Sequence, residues 1–292
     1  MQTKNKIFSF DVVIFCLLFG LLPVDMLNGF LLKEAGIESV VSISQVYKII
    51  LFFFIFIRIS STEKLMFISF FLLMLIPSVF QIFKSGSISL IFNDAIKITK
   101  YLGSFLTFLY FRSIFISKSY LLKWIYRWFS FSFLILFINI FLKLFGLGFP
   151  MYIMNSLEIG SKGYFYAGNE LSGVLLVLCS FLLYWHRLHN NKISFIIIAI
   201  LSLLTGIYVT SKTAILGTMI IIIWFFIFDP RGKKISIKKI FSYLLVFFTI
   251  IPLSLYFIIK YLETSALMQR VSYYWNELDI YTFLLSNRNT FL

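Results

Sequence analysis

The sequence predicts an all-α membrane protein, a polytopic bundle of about nine transmembrane helices with its N-terminus in the cytoplasm. Three observations carry this. First, 60% of the 292 residues are apolar, 20% are aromatic and only 13% are charged, with a mean hydropathy of +0.96. A soluble domain has about 25% charged residues and lacks the interior to hide so many apolar side chains. Second, the apolar residues fall into nine runs approaching the roughly 20 residues that cross a bilayer. Third, Lys and Arg are distributed unequally between alternate connections.

The runs are Val12–Leu32, Ser42–Ile57, Leu65–Phe83, Tyr101–Phe115, Trp128–Phe145, Leu171–Trp185, Ile193–Thr210, Ala214–Phe228 and Ile240–Ile259. Pro23 and Asp25 interrupt the first, which is expected to bend or end early. Pro77 and Pro252 sit inside later runs, where neighbours can satisfy the carbonyl each one frees. Lys4 and Lys6 precede the first run, and no small-x-small site follows Leu22. This pattern reads as an uncleaved signal anchor.

One set of connections, including Lys4, Arg58, Lys123, Arg187 and Lys234, holds fifteen bases against three acids. The other, including Lys33, Lys97, Lys162, Lys212 and Arg288, holds ten against nine. The positive-inside rule assigns the first set to the cytoplasm. The net charge of +14 is therefore a topological signal and does not argue for nucleic acid. Cys16 and Cys179 each lie in an apolar run without a Cys or His at ligand spacing, and read as small hydrophobes. The loops are short, and residues 1–292 read as a single bundle. Two outer segments are longer, Gly146–Glu170 and Lys260–Leu292, and contact with substrate is expected there.

The motif inventory narrows the chemistry. His186 and His189 form an H-x-x-H among basic neighbours, with no acid or Cys nearby, and read as interfacial basic residues. Walker loops, G-x-G-x-x-G, H-E-x-x-H and G-x-S-x-G are absent. No metal and no cofactor is expected. Three polar elements fall near the predicted outer face. Asn93, Asp94, Lys97, Lys100 and Ser104 recur at helical spacing. They read either as an Asp94–Lys97 pair with snorkelling lysines or as a cationic stripe for a lipid diphosphate. The stretch Gly163–Gly173 holds three glycines with Asn169 and Glu170 where the chain re-enters the membrane. Asn169 or Ser172 suits a helix cap, whereas Glu170 and Asn169 are costly near hydrocarbon without a role. Finally, Thr205-Gly-Ile-Tyr-Val-Thr-Ser-Lys-Thr-Ala214 joins two runs by a minimal turn, setting Lys212 among the hydroxyls of Thr210, Ser211 and Thr213. That is a solvated lysine or a fixed cation for an anionic substrate.

These elements, in this order, resemble the bacterial O-antigen ligase and polysaccharide polymerase family, the Wzy and WaaL type. The resemblance rests on the Gly/Asn element around Asn169, the turn Ser211-Lys212-Thr213-Ala214, and Ser286-Asn287-Arg288 at the opening of an outer loop. It covers roughly residues 163–292, with 260–292 as the start of that loop. Membership implies glycan transfer from an undecaprenyl diphosphate-linked donor to an acceptor hydroxyl on the outer face of the bacterial plasma membrane. It implies no metal or nucleotide sugar, and partners among the lipid bilayer and other polysaccharide-assembly proteins. Carried over by position, Lys212 and Arg288 are the implied diphosphate binders. The chemistry itself adds Glu170 or Asp94 as base for the acceptor hydroxyl, and Asn169, Ser211, Thr213, Asp94, Lys97 and Lys100 are the expected substrate contacts.

Two departures qualify the likeness. Lys212 stands where Arg is common, which gives up bidentate geometry. Family members also continue past the loop that opens here, and ligases carry an outer His, so a truncated or split product is expected. Two other readings stay open at this stage, a transporter or flippase of lipid-linked saccharide and an inactive remnant.

Overall fold

The structure, a computed structural model, describes residues 10–36, 42–85, 89–117, 122–154, 157–165 and 168–228. Eight helices occupy them: α1 (Phe10–Glu34), α2 (Ile43–Arg58), α3 (Ser61–Ser85), α4 (Ser89–Ser117), α5 (Leu122–Phe141), α6 (Gly168–Leu188), α7 (Lys192–Val209) and α8 (Lys212–Ile227). Each falls on one of the first eight apolar runs. The ninth, Ile240–Ile259, lies outside the described residues.

Among the described residues, five helices are long and apolar enough to cross a membrane: Phe10–Glu34, Ser61–Gln81, Leu122–Phe145, Glu170–Leu188 and Lys192–Val209. The sixteen residues of α2 and of α8 rise only about 24 Å, against a hydrocarbon core of about 30 Å. Helix α4 is longer, but it carries Asp94, Lys97, Lys100 and Arg112.

The fold departs from an all-helical expectation at one place. After a 3-10 turn (Leu142–Phe145), strands β1 (Tyr152–Met154) and β2 (Leu157–Ile159) form an antiparallel hairpin in which Tyr152 faces Ile159 and Met154 faces Leu157. Strands of three residues are too short to show the alternation that reveals a strand in sequence.

The chain divides into two compact units. One comprises residues 1–28 and 38–128, the other residues 29–37 and 129–292, so the division runs through α1 and α5. In the first unit, α4 packs on both α2 and α3. Helix α1 does not break at Pro23. Asp25 is met by α2, where Lys48 pairs with it at 2.9 Å and the Ser44 hydroxyl donates to it. An acid and a base that are each costly in hydrocarbon thus neutralise one another. Gly20 keeps the two helices close, since a Cβ there would fall 2.1 Å from the Tyr47 oxygen, which itself donates to the Leu17 carbonyl at 2.7 Å. Ser42 and Gln45 form a capping box at the start of α2. Nearer the start of α1, Asp11 is 1% exposed. It accepts from Arg58 Nε at 2.9 Å, from Arg58 Nη2 at 3.4 Å and from the Tyr110 hydroxyl at 3.3 Å. Helices α1, α2 and α4 are thereby held in one register.

In the second unit, α6, α7 and α8 pack pairwise. Cys179, Leu183, Phe195, Ala199 and Ile222 form their core. Where α7 crosses α8 the side chains are small. Gly206 would place a Cβ 3.1 Å from the Ala214 carbonyl and 3.2 Å from Thr218 Oγ1, and Ser202, Thr205, Ala214 and Thr218 are all buried nearby. Close backbone approach through small residues is the usual means of association where lipid removes the hydrophobic drive.

Removing the carboxylate of Asp11 leaves Arg58 without that ion pair and takes one hydrogen bond from Tyr110. Asp11→Ala is expected to lower the unfolding free energy of the detergent-solubilised protein by about 3 kcal/mol, the low end for a buried pair because Arg58 is partly exposed. Thermal unfolding followed by circular dichroism measures it. A change below about 0.5 kcal/mol, the scale of a surface substitution, contradicts the assignment.

Candidate functional site

At one end of the second unit, the end of α5, the hairpin, the start of α6 and the turn from α7 to α8 come together. The loop after α5 is bound by its own polar groups. Asn139 lies deep on α5, fully buried, and its Oδ1 accepts the Tyr164 amide at 3.0 Å. The Ser161 hydroxyl donates to the Ile140 carbonyl at 2.6 Å and accepts the Gly163 amide at 3.1 Å. The Phe149 amide donates to the Gly163 carbonyl at 2.6 Å, and the Lys162 amide donates to the Phe149 carbonyl at 3.1 Å.

Glycine is required at the centre of this clasp. Gly163 has φ +56, and a Cβ there would sit 2.3 Å from the Asn139 carbonyl oxygen and 2.5 Å from its Nδ2. The loop also latches onto the α7–α8 turn. The Ser161 amide donates to the Tyr208 carbonyl at 3.0 Å, and Gly160, at φ +65, lies against Thr210. Thr210 takes the left-handed conformation that ends α7, and Ser211 is the N-cap residue of α8.

The last turn of α1 reaches the same loop. The Lys33 ammonium donates to the Gly148 carbonyl, pairs with Glu34 at 3.8 Å and lies 5.6 Å from the centre of the Phe149 ring. Lys162 lies 5.4 Å from that ring centre, so two cations share one aromatic face system. Glu34 accepts from the Tyr164 hydroxyl at 3.2 Å, and Lys143 pairs with Glu158. Burial holds the Lys162 ammonium below the ordinary lysine value of 10.5. The hydrogen bond from Lys143 holds Glu158 below the usual carboxylate range, and burial, with the bond to Glu34, pushes the Tyr164 phenol up.

The residues singled out in the sequence divide between the units. Ser211, Lys212, Thr213 and Glu170 all belong to the second. Ser211 is buried and makes no side-chain capping bond, Lys212 opens α8 and is partly exposed, and Thr213 and Glu170 are exposed. Asn169 is the second residue of α6, but its side chain lies outside the described set. Ser172 does not cap; its hydroxyl is buried on α6 with no partner among the described residues.

Asp94 and Lys97 belong to the first unit. They pair at 3.6 Å, with the Ser78 hydroxyl donating to Asp94 at 2.8 Å, and so form the local ion pair that their spacing allows. Lys100 is on α4 with its side chain undescribed, and Arg288 lies outside the described residues. No group of three or more His, Cys, Asp or Glu able to hold a metal occurs among the described residues.

Sequence reasoning passed over Lys33, Phe149 and Lys162, which meet only through the fold. Asn139 was detectable, as a polar residue inside an apolar run. Comparisons with protein-family models, with curated proteins and with solved structures find no match to this chain.

Gly163→Ala introduces a left-handed Cβ into the Asn139 side chain. It is expected to destabilise the protein by about 2 kcal/mol or more and to expose the hairpin to proteolysis while α6–α8 remain protected. Unchanged cleavage of the 142–168 segment contradicts this reading.

Proposed function

We propose that the chain transfers glycan from an undecaprenyl diphosphate-linked donor to an acceptor hydroxyl, as in surface polysaccharide polymerisation or ligation, at the outer face of a bacterial plasma membrane. In this reading nine helices cross the bilayer, the N-terminus is cytoplasmic, and the 142–168 loop and the α7–α8 turn face outward. The observation that carries it is the latch between these two elements, Ser161 to Tyr208 and Gly160 against Thr210. It holds Lys33 and Lys162 on the same end of the unit as Ser211, Lys212 and Thr213.

The chemistry asked of such a site is modest. An acceptor oxygen attacks the anomeric carbon, the C–O bond to the diphosphate breaks, and the leaving group gains negative charge. Ammonium groups in a poorly hydrated groove stabilise that charge. Lys162 is partly desolvated, which strengthens its attraction for an anion. The amides at the start of α8 and the hydroxyl of Thr213 add donors. Glu170 is exposed at the start of α6 and suits the acceptor hydroxyl as base.

A second reading, transport of a lipid-linked saccharide, is favoured by one observation, the Asp25–Lys48 pair between α1 and α2. Reconstituted vesicles separate the two. Transfer lengthens the glycan on one side, whereas transport moves an unaltered donor across.

Lys212→Gln is expected to lower the transfer rate by roughly 10²–10³-fold, measured as elongation of lipid-linked repeat units in a strain lacking its own polymerase. Elongation at the unsubstituted rate would remove Lys212 from the site. A pH profile tests Lys162. Its charged form is disfavoured in the folded protein, so it loses its proton at lower pH than an ordinary lysine. Binding of an isoprenyl diphosphate should accordingly decline on the alkaline side before pH 10.5, and Lys162→Arg should extend the plateau upward. The same group contributes to stability with the opposite sign, since its unfavourable charge is relieved as pH rises through its lowered value. Loss of binding without any alkaline shift in Lys162→Arg overturns the role of that residue.

A further inference from the structure

The opposite end of the second unit holds a second basic site, which the transfer reading does not use. Helix α6 ends in a tight corner. The Asn190 amide donates to the Arg187 carbonyl at 3.2 Å, and the Asn191 amide donates to the His186 carbonyl at 3.0 Å. Asn190 adopts φ 57. This is a Schellman closure with Asn in the left-handed position. Asn191 then caps α7, its Oδ1 accepting the Ser194 amide at 3.3 Å. One residue thus closes one helix and opens the next, and the corner has little freedom.

Beside the corner lies a cleft of about 200 Å³, with His186, Arg187, Asn191 and Lys192 around it and Phe195 and Phe226 beneath. That is more than ten times the space one water needs. The guanidinium of Arg187 lies over the Phe195 ring, 5.8 Å from its centre. Its Nε is shut off from solvent and has no hydrogen-bond partner among the described residues. Arg187 itself lines the cleft, so an anion that enters meets a guanidinium there. Among the described residues no acid lies at this end of α6, α7 or α8, because residues 171–228 contain neither Asp nor Glu; Asp229 lies outside the described residues.

The geometry points to this cleft as a binding site for the phosphate of an anionic phospholipid, with Arg187 and Lys192 as its cations. The lipid is preferred to a soluble phosphate by position. Both α6 and α7 are long and apolar enough to span a membrane, and the cleft sits where they end. Ile193, Ile196 and Ile197 are exposed on the adjoining face of α7, Ile193 by 74%. Such a face suits acyl chains directly beside the polar corner, at the depth where head groups lie. The planar fork of Arg187, already steadied by the Phe195 ring, suits two phosphate oxygens, and Lys192 adds a mobile point charge.

The test uses the purified full chain in a neutral detergent, with its unfolding temperature followed as lipid is added. Palmitoyl-oleoyl phosphatidylglycerol should bind about tenfold more tightly than the corresponding phosphatidylcholine. R187Q/K192Q should reduce phosphatidylglycerol to the phosphatidylcholine response, while K123Q/R127Q, which removes two charges from the start of α5, should leave it intact. If the double variant does not fold, Lys192→Gln decides, with an expected weakening of about threefold. The proposal is overturned if the two lipids act alike, if R187Q/K192Q or Lys192→Gln retains the full response, or if K123Q/R127Q loses it equally. It is also overturned if sodium phosphate alone reproduces the shift, since the cleft would then select a free anion. None of these outcomes depends on glycan transfer.

Discussion

A single amide side chain organises the long loop of this protein. Asn139 is sunk in the apolar end of α5, and its oxygen takes the backbone amide of Tyr164, twenty-five residues further on. The buried oxygen would be costly without that bond, which favours the return of the loop to α5, although the Nδ2 of the same amide has no partner among the described residues. The rest of the end follows from that return. Gly163 must be glycine because Asn139 occupies the place of its Cβ. Ser161 can then bridge the Ile140 carbonyl and the Gly163 amide, and the loop lies where it can take the Tyr208 carbonyl. A β-hairpin of two three-residue strands would be marginal by itself. Here it is carried on a clasp of side-chain hydrogen bonds.

The same constraint, that polar groups in an apolar setting must find partners within the protein, explains the first unit. Asp11 with Arg58 and Tyr110, and Asp25 with Lys48 and Ser44, both join α1 to α2, one near each end. Hydrophobic contact alone would tolerate sliding between two helices so rich in Phe, Ile and Leu. Paired charges do not, because a shift of one turn strands both partners. Between α3 and α4 the link is a single hydrogen bond, from the Ser78 hydroxyl to Asp94, whose charge is met by Lys97 on the same helix.

The two ends of the second unit use lysine and arginine differently. At the loop end, Lys33 and Lys162 face one aromatic ring and Lys33 shares a carboxylate with Tyr164, so cations and an acid are interleaved. At the α6–α7 corner no acid lies between residues 171 and 228, and an arginine N–H is buried without an acceptor among the described residues.

Helices α1 to α8 were legible in the order and apolarity of their runs, because burial in lipid demands long continuous stretches that sequence displays directly. The turn at Thr210 and Ser211 was legible as a polar break between two such runs, though Lys212 and Thr213 already belong to α8, and Asp94 with Lys97 was legible as a local pair at helical spacing. The hairpin was not, since three-residue strands leave no period to read. Nor was the meeting of Lys33 with Phe149 and Lys162, which are separated by more than a hundred residues and brought together only by tertiary packing. The passage of α1 through Pro23 and Asp25 was likewise decided in three dimensions. A proline and an acid argue locally for a break, and only a second helix, carrying Lys48 and Ser44 to the right depth, makes continuing the helix the lower-energy course. Composition and pattern determine which segments enter the membrane, because that choice depends on each segment's own transfer free energy. Which polar residues then meet depends on distances between segments, and those exist only once the helices have packed.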